Sequence, residues 1–271
     1  MNDAPEISVR HDVAAAAVAT VTLRNPGRLN AMTRAMWRAL RAAFEGLSAD
    51  ASLRCVIVRG EGGTFCAGGD ISEYPAFRYD AASLRAFHED EVWGALAALL
   101  ACPVPLVAQI EGACMGAGLE IASCCDIRLA GAGATFGAPI ARLGFPMAPR
   151  EAALVRGAIG EVLARDMLLA AGVHGAQRLY EAGFLLRVLP DAELPAACLQ
   201  HAQRIATLAP QAARLNKATF LALSRALAPI DASQGAAGPI ADMLRSAYDY
   251  ADSSEHCEGI GAFLAKRAPN F

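Results

Sequence analysis

Short apolar runs recur along the chain at intervals that are typical of buried strands separated by helices. The runs cover residues 17–23, 53–59, 104–111 and 126–130, and the segments between them are long enough to form helices. Strands that alternate with helical segments favour parallel βαβ units. The pattern therefore predicts an α/β fold.

The segment after the first run carries the clearest helical periodicity. Its apolar residues repeat at near-helical spacing, and Thr33 precedes them at a position suited to capping a helix. Further helices are predicted over residues 150–170, 175–182, 194–208, 209–226 and 239–251. Strand patterns end near residue 188, which divides the chain into a βα core over residues 1–190 and a helical part over residues 191–271.

Charge and composition exclude several classes of protein. The 271 residues are 55% hydrophobic, the net charge is −3, and the only lysines are Lys217 and Lys266. Without a basic run, a nucleic-acid groove is not expected. The most apolar stretch, residues 92–110, is interrupted by Pro103 and Pro105, so no membrane span is expected either.

The eight cysteines and the N-terminal segment bear on the compartment. No CxxC pair occurs, and most of the cysteines lie inside apolar runs, which favours buried thiols over zinc ligands or disulfides. The apolar residues 13–23 follow acidic residues rather than a basic region and are interpreted as a strand, not a signal peptide. Both observations favour a cytoplasmic location for the protein.

Explicit nucleotide, hydrolase and metal motifs are absent from the sequence. The glycines at 116 and 118 are followed by Ile121, so GxGxxG fails, and neither lysine follows a glycine as a Walker A motif requires. GxSxG is absent, and the five histidines have no metal-binding spacing, so each is interpreted as a surface or structural residue. No metal is predicted.

Two glycine-rich elements remain as candidates for chemistry. They are residues 64–71 (TFCAGGDI) and residues 111–121 (EGACMGAGLEI), and each follows a strand and leads toward a helix. Two such turns can direct backbone N–H groups at one point and stabilise an oxyanion. The alternative is that the glycines only permit tight turns and close packing of helix on strand.

These elements, with four others, carry a resemblance to a known family. The other segments are residues 23–31 (LRNPGRLNA), 125–127 (CDI), 136–137 (FG) and 258–271 (EGIGAFLAKRAPNF). In this order and spacing, the chain resembles the enoyl-CoA hydratase/isomerase (crotonase) superfamily. The resemblance implies a crotonase-like spiral of ββα units followed by a helical C-terminal trimerisation region. It also implies a homotrimer or a dimer of trimers.

The resemblance further implies an acyl-CoA substrate and no separate cofactor, since coenzyme A is part of the substrate. It implies that two backbone N–H groups, at Ala67 and Ala117, hold the thioester oxygen. For the CoA moiety it points to six residues in all: Arg28, Ala67, Asp70, Ile71, Phe263 and Lys266. Phe263 and Lys266 match a C-terminal region that reaches CoA in some relatives, often from a neighbouring subunit.

The acid and base positions decide the reaction. Hydratases of this family generally use two glutamates, and Glu120 matches the first, about one helical turn after Ala117. The second position, after residues 136–139 (FGAP), is occupied by Ile140. Three residues are candidates for the missing partner by loop position only, and for each a surface role is the expectation: Glu151, Glu73 and His88.

The main hypothesis is therefore an enoyl-CoA hydratase-like lyase with Glu120 as the proton-transfer group. A double-bond isomerase is the alternative enzyme, because one carboxylate can move a proton between C2 and C4. Nothing in the sequence argues for decarboxylation or other crotonase-type acyl-CoA chemistry. A catalytically impaired acyl-CoA binder is the non-enzyme alternative.

Overall fold

A computed structural model describes residues 4–12, 17–227, 248 and 251–267 of the protein. Helices and strands alternate along these residues up to residue 189, and helices follow. The predicted α/β class is confirmed. The predicted helix over residues 239–251 lies almost entirely outside the described residues, as do residues 13–16 of the first predicted strand.

In the part of the chain that the structure describes, nine strands form two sheets. They are β1 (Glu6–His11), β2 (Val18–Arg24), β3 (Cys55–Gly60), β4 (Leu106–Ile110), β5 (Ala113–Met115), β6 (Ile127–Gly131), β7 (Thr135–Gly137), β8 (Val173–Gly175) and β9 (Arg187–Leu189). The larger sheet has the order β1-β2-β3-β4-β6-β9 and is parallel except for the antiparallel pair β1-β2. The smaller sheet has the order β5-β7-β8. The four predicted strands correspond to β2, β3, β4 and β6.

The helices of the described residues surround these sheets. They are α1 (Arg34–Ala49), α2 (Ala81–Ala86), α3 (Trp93–Ala101), α4 (Ala117–Cys124), α5 (Pro149–Ile159), α6 (Glu161–Leu169), α7 (Ala176–Glu181), α8 (Leu194–Ala206), α9 (Pro210–Leu227) and α10 (Ser254–Leu264). Short 3₁₀ turns cover Ile71–Ala76, Ile140–Leu143 and Asp191–Glu193, and a π-helical turn covers Phe87–Val92. The single helix predicted over residues 150–170 is wrong: it divides into α5 and α6 at Gly160, whose φ is +84°.

Helix α1 confirms the periodicity seen in the sequence. The Thr33 hydroxyl accepts a hydrogen bond from the Met36 backbone N–H at 3.1 Å and caps the first turn. The apolar face is fully buried, and it consists of Met36, Trp37, Leu40, Phe44 and Leu47. Burial of each such side chain contributes about 1.5–3 kcal/mol, so this face fastens α1 to the sheet.

Helix α8 covers the opposite face of the larger sheet. Its buried residues Leu194, Cys198 and Ala202 form a second apolar cluster with side chains from β2, β3, β4 and β6. The predicted division of the chain at residue 190 stays a prediction, and α8 packs directly on the sheet of the N-terminal part.

The described residues also bear on the predictions for thiols, membrane spans and metal ligands. All eight cysteines are free and seven are buried, but Cys257 is exposed, so the expectation of a buried thiol is wrong at that position. None of the helices in the described part of the chain has the length and apolar character that a bilayer span requires. Within residues 4–12, 17–227, 248 and 251–267, no group of three or more potential metal ligands occurs.

Candidate functional site

A cavity of about 340 Å³ lies between the two glycine-rich turns and the C-terminal helix α10. Its wall is mostly apolar, with contributions from Trp37, Ile71, Phe87, Val92, Met115, Ile140, Leu143 and Phe145. Polar and charged side chains also line it, among them Glu120, Tyr74, Arg78 and His88. An apolar cavity with a few convergent polar groups is the usual form of a small-molecule site.

Backbone hydrogen bonds hold the two glycine-rich turns against each other. The Cys66 N–H donates to the Ala113 carbonyl at 2.8 Å, and the Met115 N–H donates to the Cys66 carbonyl at 2.9 Å. A Cβ atom at Gly118 would lie 2.6 Å from the Cys66 carbonyl oxygen, and Gly116 needs a φ of +45°. The glycines therefore fit both interpretations of the sequence. They permit close packing of the two turns, and this packing brings backbone N–H groups of both turns to one cavity.

The structure corrects the predicted oxyanion donor in the first turn. The Ala67 N–H donates to the Leu29 carbonyl at 3.0 Å, so it is already occupied. Met32 bridges the same turn by donating to the Gly68 carbonyl and accepting from the Asp70 N–H, both at 2.8 Å. Because N–H groups alternate in direction along extended chain, the intervening Gly69 N–H faces away from Met32.

Gly69 and Ala117 each have an open backbone N–H at the cavity. Both residues line it, and neither N–H has a hydrogen-bond partner among the described residues. Ala117 is the first residue of α4, where N–H groups lack intrahelical acceptors and the helix dipole adds positive potential. Ala117 thus stays the candidate that the sequence indicated, whereas Gly69 replaces Ala67.

Gly69 is also constrained by a cavity side chain. A Cβ atom there would lie 2.1 Å from the Tyr74 hydroxyl oxygen. We therefore expect Gly69→Ala to displace the Tyr74 ring and to lower the melting temperature. Adding Tyr74→Phe removes the clashing oxygen and is expected to recover part of the loss. Differential scanning fluorimetry of both single variants and the double variant measures this coupling, and purely additive shifts would contradict it.

Glu120 lies in the cavity one helical turn after Ala117. Burial, together with repulsion from Glu151, raises the pKa of the Glu120 carboxyl to about 8, while the Arg78 guanidinium opposes the rise. A carboxyl group with this pKa holds its proton at neutral pH and can act as a general acid.

The raised pKa of Glu120 predicts a pH-dependent stability. In the unfolded chain a glutamate ionises near pH 4.5, whereas folded Glu120 keeps its proton to about pH 8. Unfolding therefore releases a proton between these values, and the free energy of unfolding falls as the pH rises through this interval. We expect Glu120→Gln to be more stable than the wild type at pH 8, with a smaller difference at pH 5. Urea titrations at both pH values test this, and an equal difference at both would refute it.

Ile140 occupies the position where a second glutamate was expected from the resemblance. It lies in the 3₁₀ turn Ile140–Leu143 and lines the cavity. The backbone of α10 packs directly on this turn, since a Cβ atom at Gly259 would lie 2.1 Å from the Leu143 carbonyl. The cavity wall is apolar at this point.

The three candidates for the missing partner differ in their surroundings. Glu73 accepts a hydrogen bond from the Arg34 backbone N–H at 2.7 Å and does not line the cavity. Glu151 is only 2% exposed, so the expected surface role is wrong for it. His88 is half-buried and lines the cavity, so it is not a surface residue either. The His88 Nδ1 and the Glu151 Oε1 lie 3.0 Å apart.

The predicted CoA-binding residues are arranged around one side of the cavity. Arg28, Ala67, Asp70, Ile71 and Phe263 all line it, with Arg28 exposed and Phe263 53% exposed. Asp70 caps the turn Ile71–Ala76 by accepting from the Ser72 backbone N–H at 3.1 Å. Lys266 is exposed and does not line the cavity, so the structure does not bring it to the others.

Arg78 is the charged cavity residue that the sequence did not indicate. It is 1% exposed and lies over the rings of Tyr74 and Phe145, at 4.5 and 4.0 Å from their centroids. Its Nε donates to the His256 Nε2 at 3.1 Å. Arg78 belongs to no motif in the sequence, and an arginine in a loop normally lies in solvent. Only the path of the chain after residue 71 brings the Arg78 side chain into the cavity wall.

The chain is similar in sequence and in structure to known proteins. A family model described as enoyl-CoA hydratase/isomerase matches residues 14–271. The 2,3-dehydroadipyl-CoA hydratase of Escherichia coli is 32% identical over 94% of both chains. An enoyl-CoA hydratase/carnithine racemase from Magnetospirillum magneticum superposes with a TM-score of 0.75 at 38% identity, covering 94% of this chain and 92% of its own. A methylmalonyl-CoA decarboxylase superposes with a TM-score of 0.81 at 26% identity, covering 98% and 97%.

Proposed function

The chain belongs to the enoyl-CoA hydratase/isomerase family, and from this premise we propose that it is a hydratase-like lyase, adding water to a 2-enoyl-CoA or removing it from a 3-hydroxyacyl-CoA. The thioester oxygen is bound by the backbone N–H groups of Gly69 and Ala117. Negative charge collects on this oxygen when the enolate forms, and two fixed donors stabilise it more strongly than the neutral thioester.

The observation that carries the proposal is the position of Glu120, which lies in the cavity one helical turn after the open N–H of Ala117. Protonation of an enolate at C2 needs an acid that holds its proton at neutral pH, and burial raises the pKa of Glu120 to about 8. In hydration Glu120 gives its proton to C2, and in dehydration its carboxylate takes the C2 proton. Because the acid form is required, we expect kcat for hydration to fall above about pH 8.

The CoA moiety lies along Arg28, Asp70, Ile71 and Phe263 in this proposal. The exposed Arg28 guanidinium is placed at the cavity rim, where it can pair with a phosphate in a forked geometry. Coenzyme A enters as part of the substrate, so no separate cofactor is proposed. A homotrimer or dimer of trimers in the cytoplasm also belongs to the proposal.

The direct test is the hydration of crotonyl-CoA, followed by loss of the enone absorbance. Turnover by the wild type supports the proposal. Ile140→Glu restores the carboxylate that family hydratases generally carry and serves as the comparison. If only Ile140→Glu hydrates crotonyl-CoA, the wild-type site performs different acyl-CoA chemistry. If neither protein hydrates crotonyl-CoA or isomerises a 3-enoyl-CoA while CoA esters still bind, the chain is an acyl-CoA binder.

A second candidate, a double-bond isomerase, is favoured by one observation. Ile140 makes the cavity wall apolar where a second carboxylate would hold water, and moving a proton between C2 and C4 requires no water. Conversion of a 3-enoyl-CoA to the 2-enoyl isomer, without incorporation of ¹⁸O from labelled water, would distinguish this activity from hydration.

A further inference from the structure

His88 enters the cavity from an unusual piece of backbone. It lies in the π-helical turn Phe87–Val92 between α2 and α3. Such turns insert an extra residue into a helix and often occur at functional sites. Here the turn buries Phe87 and Val92 and brings the His88 imidazole to the wall that also holds Glu120.

The partners of His88 determine which ring nitrogen carries the proton. Nη1 of Arg78 lies 3.3 Å from Nε2 of His88, and a guanidinium can only donate. Nε2 is therefore the acceptor, and the proton is on Nδ1, from which it is donated to Glu151 Oε1 at 3.0 Å. The lone pair of Nε2 is consequently on the side of the ring away from Glu151.

Neighbouring side chains fix the orientation of the ring. The Tyr248 ring stacks on the His88 imidazole with centroids 5.6 Å apart and an interplanar angle of 15°. The Phe87 ring packs edge-on at 5.1 Å. The Tyr248 hydroxyl donates to Glu89 Oε1 at 2.7 Å, which anchors the stacking ring. The His88 imidazole is thus held by a buried carboxylate at Nδ1, and its Nε2 lone pair accepts only a long contact from Arg78. An oriented imidazole with a lone pair available to a stronger donor has the arrangement of a general base.

Glu151 itself does not reach the substrate space. It is 2% exposed, does not line the cavity, and lies behind His88 at the start of α5. Its carboxylate can act on a reaction in the cavity only through His88 or through the charge that it places near Glu120.

We infer that His88 is the second proton-transfer group of the site, acting as the base for the water that attacks C3, and that Glu151 is its positioning residue. The inference rests on the proposed hydration. His88 thus takes the place of the second carboxylate, whose position is occupied by Ile140, but it comes from a different element of the fold.

In the hydration direction, the water oxygen forms a bond to C3 while one of its protons moves to His88 Nε2. The electron pair of the C2=C3 bond passes to the thioester as an enolate, and Glu120 then delivers its proton to C2. Transfer of the proton from the His88 imidazolium back to the Glu120 carboxylate through solvent restores the enzyme. The contact between Arg78 and Nε2 is long at 3.3 Å, so a water molecule that donates to Nε2 displaces only a weak bond.

The test measures crotonyl-CoA hydration by full-length wild type, His88→Gln, His88→Ala and Glu151→Gln. Loss of a general base lowers kcat by about 10²- to 10⁴-fold, so we expect at least a 100-fold loss for both His88 variants with KM changed only a few-fold. Imidazole added to His88→Ala is expected to restore part of kcat. Glu151→Gln keeps an acceptor for Nδ1–H without the charge, and a smaller loss of kcat is expected.

The chain offers a matched control in a second histidine–carboxylate pair. His174 Nε2 lies 2.8 Å from Asp166 Oδ2, and His174 does not line the cavity. His174→Gln is expected to leave kcat unchanged. Circular dichroism and melting temperatures of all variants show whether the fold is retained, and rescue by imidazole is a result that a purely structural role cannot produce.

The possible results distinguish a failure of the role of His88 from a failure of the proposed function. A wild type that hydrates crotonyl-CoA, with a His88→Gln variant that keeps kcat, overturns the role of His88 and leaves the proposed function intact. A folded His88→Ala variant that loses activity and gains nothing from imidazole also overturns it. A wild type that hydrates no enoyl-CoA overturns both.

Discussion

Glu120→Gln is expected to lower kcat for hydration of crotonyl-CoA by about 10²- to 10⁴-fold, because glutamine keeps the shape of the side chain but has no proton to give to C2. The KM for crotonyl-CoA should change little, since the thioester oxygen is bound by backbone groups that the substitution does not touch. Initial rates of enone loss at saturating substrate measure the effect.

A matched control is available in Glu73→Gln. Glu73 accepts from the Arg34 backbone N–H and does not line the cavity, and a glutamine can accept the same hydrogen bond. Its kcat is expected to equal that of the wild type. Full hydration activity in Glu120→Gln would remove Glu120 from the mechanism.

Ala117→Pro is expected to lower kcat by about 10²- to 10³-fold, since proline deletes the one N–H that Ala117 offers to the thioester oxygen. Ala117 is the first residue of α4, and proline is well accepted at this position because its N–H has no intrahelical acceptor. The substitution therefore removes a donor while preserving the helix, which circular dichroism can verify.

Ala117→Ser is the control for Ala117→Pro. Serine retains the backbone N–H, so kcat is expected to stay within a few-fold of the wild type. Equal losses in Ala117→Pro and Ala117→Ser would mean that the space around residue 117 matters and its N–H does not. A proline variant with wild-type kcat would exclude Ala117 as an oxyanion donor.

The long elements of the fold were predictable because burial leaves a clear pattern of apolar residues in the sequence. Helix α1 buries one face at helical spacing, whereas strands β3 and β4 are buried along almost their whole length and appear as continuous apolar runs. Strands β5, β7 and β8 have three residues each, which is too short to carry an alternation. The break between α5 and α6 depends on the positive φ of Gly160, and one glycine inside a helical pattern does not reveal its dihedral angle.

The site was predictable where its position depends on the order of motifs and not where it depends on backbone direction. Glu120 and Ala117 were implied by the resemblance, and the structure places them one turn apart on one helix. The donor proposed for the first turn, Gly69 rather than Ala67, depends on which residues Met32 bridges, and a motif contains no such information. His88, Glu151 and Arg78 meet across 73 sequence positions only through the chain path, so their grouping was beyond the sequence.

The close approach of the two glycine-rich turns has a consequence for how this enzyme can diversify. The two N–H donors belong to the backbone, and their positions are fixed by hydrogen bonds between main-chain atoms around Cys66 and Met32. Cavity side chains such as Ile140 and Phe145 lie outside these two turns. We therefore expect mutational libraries at those positions to alter acyl selectivity while the two proposed backbone donors stay in place.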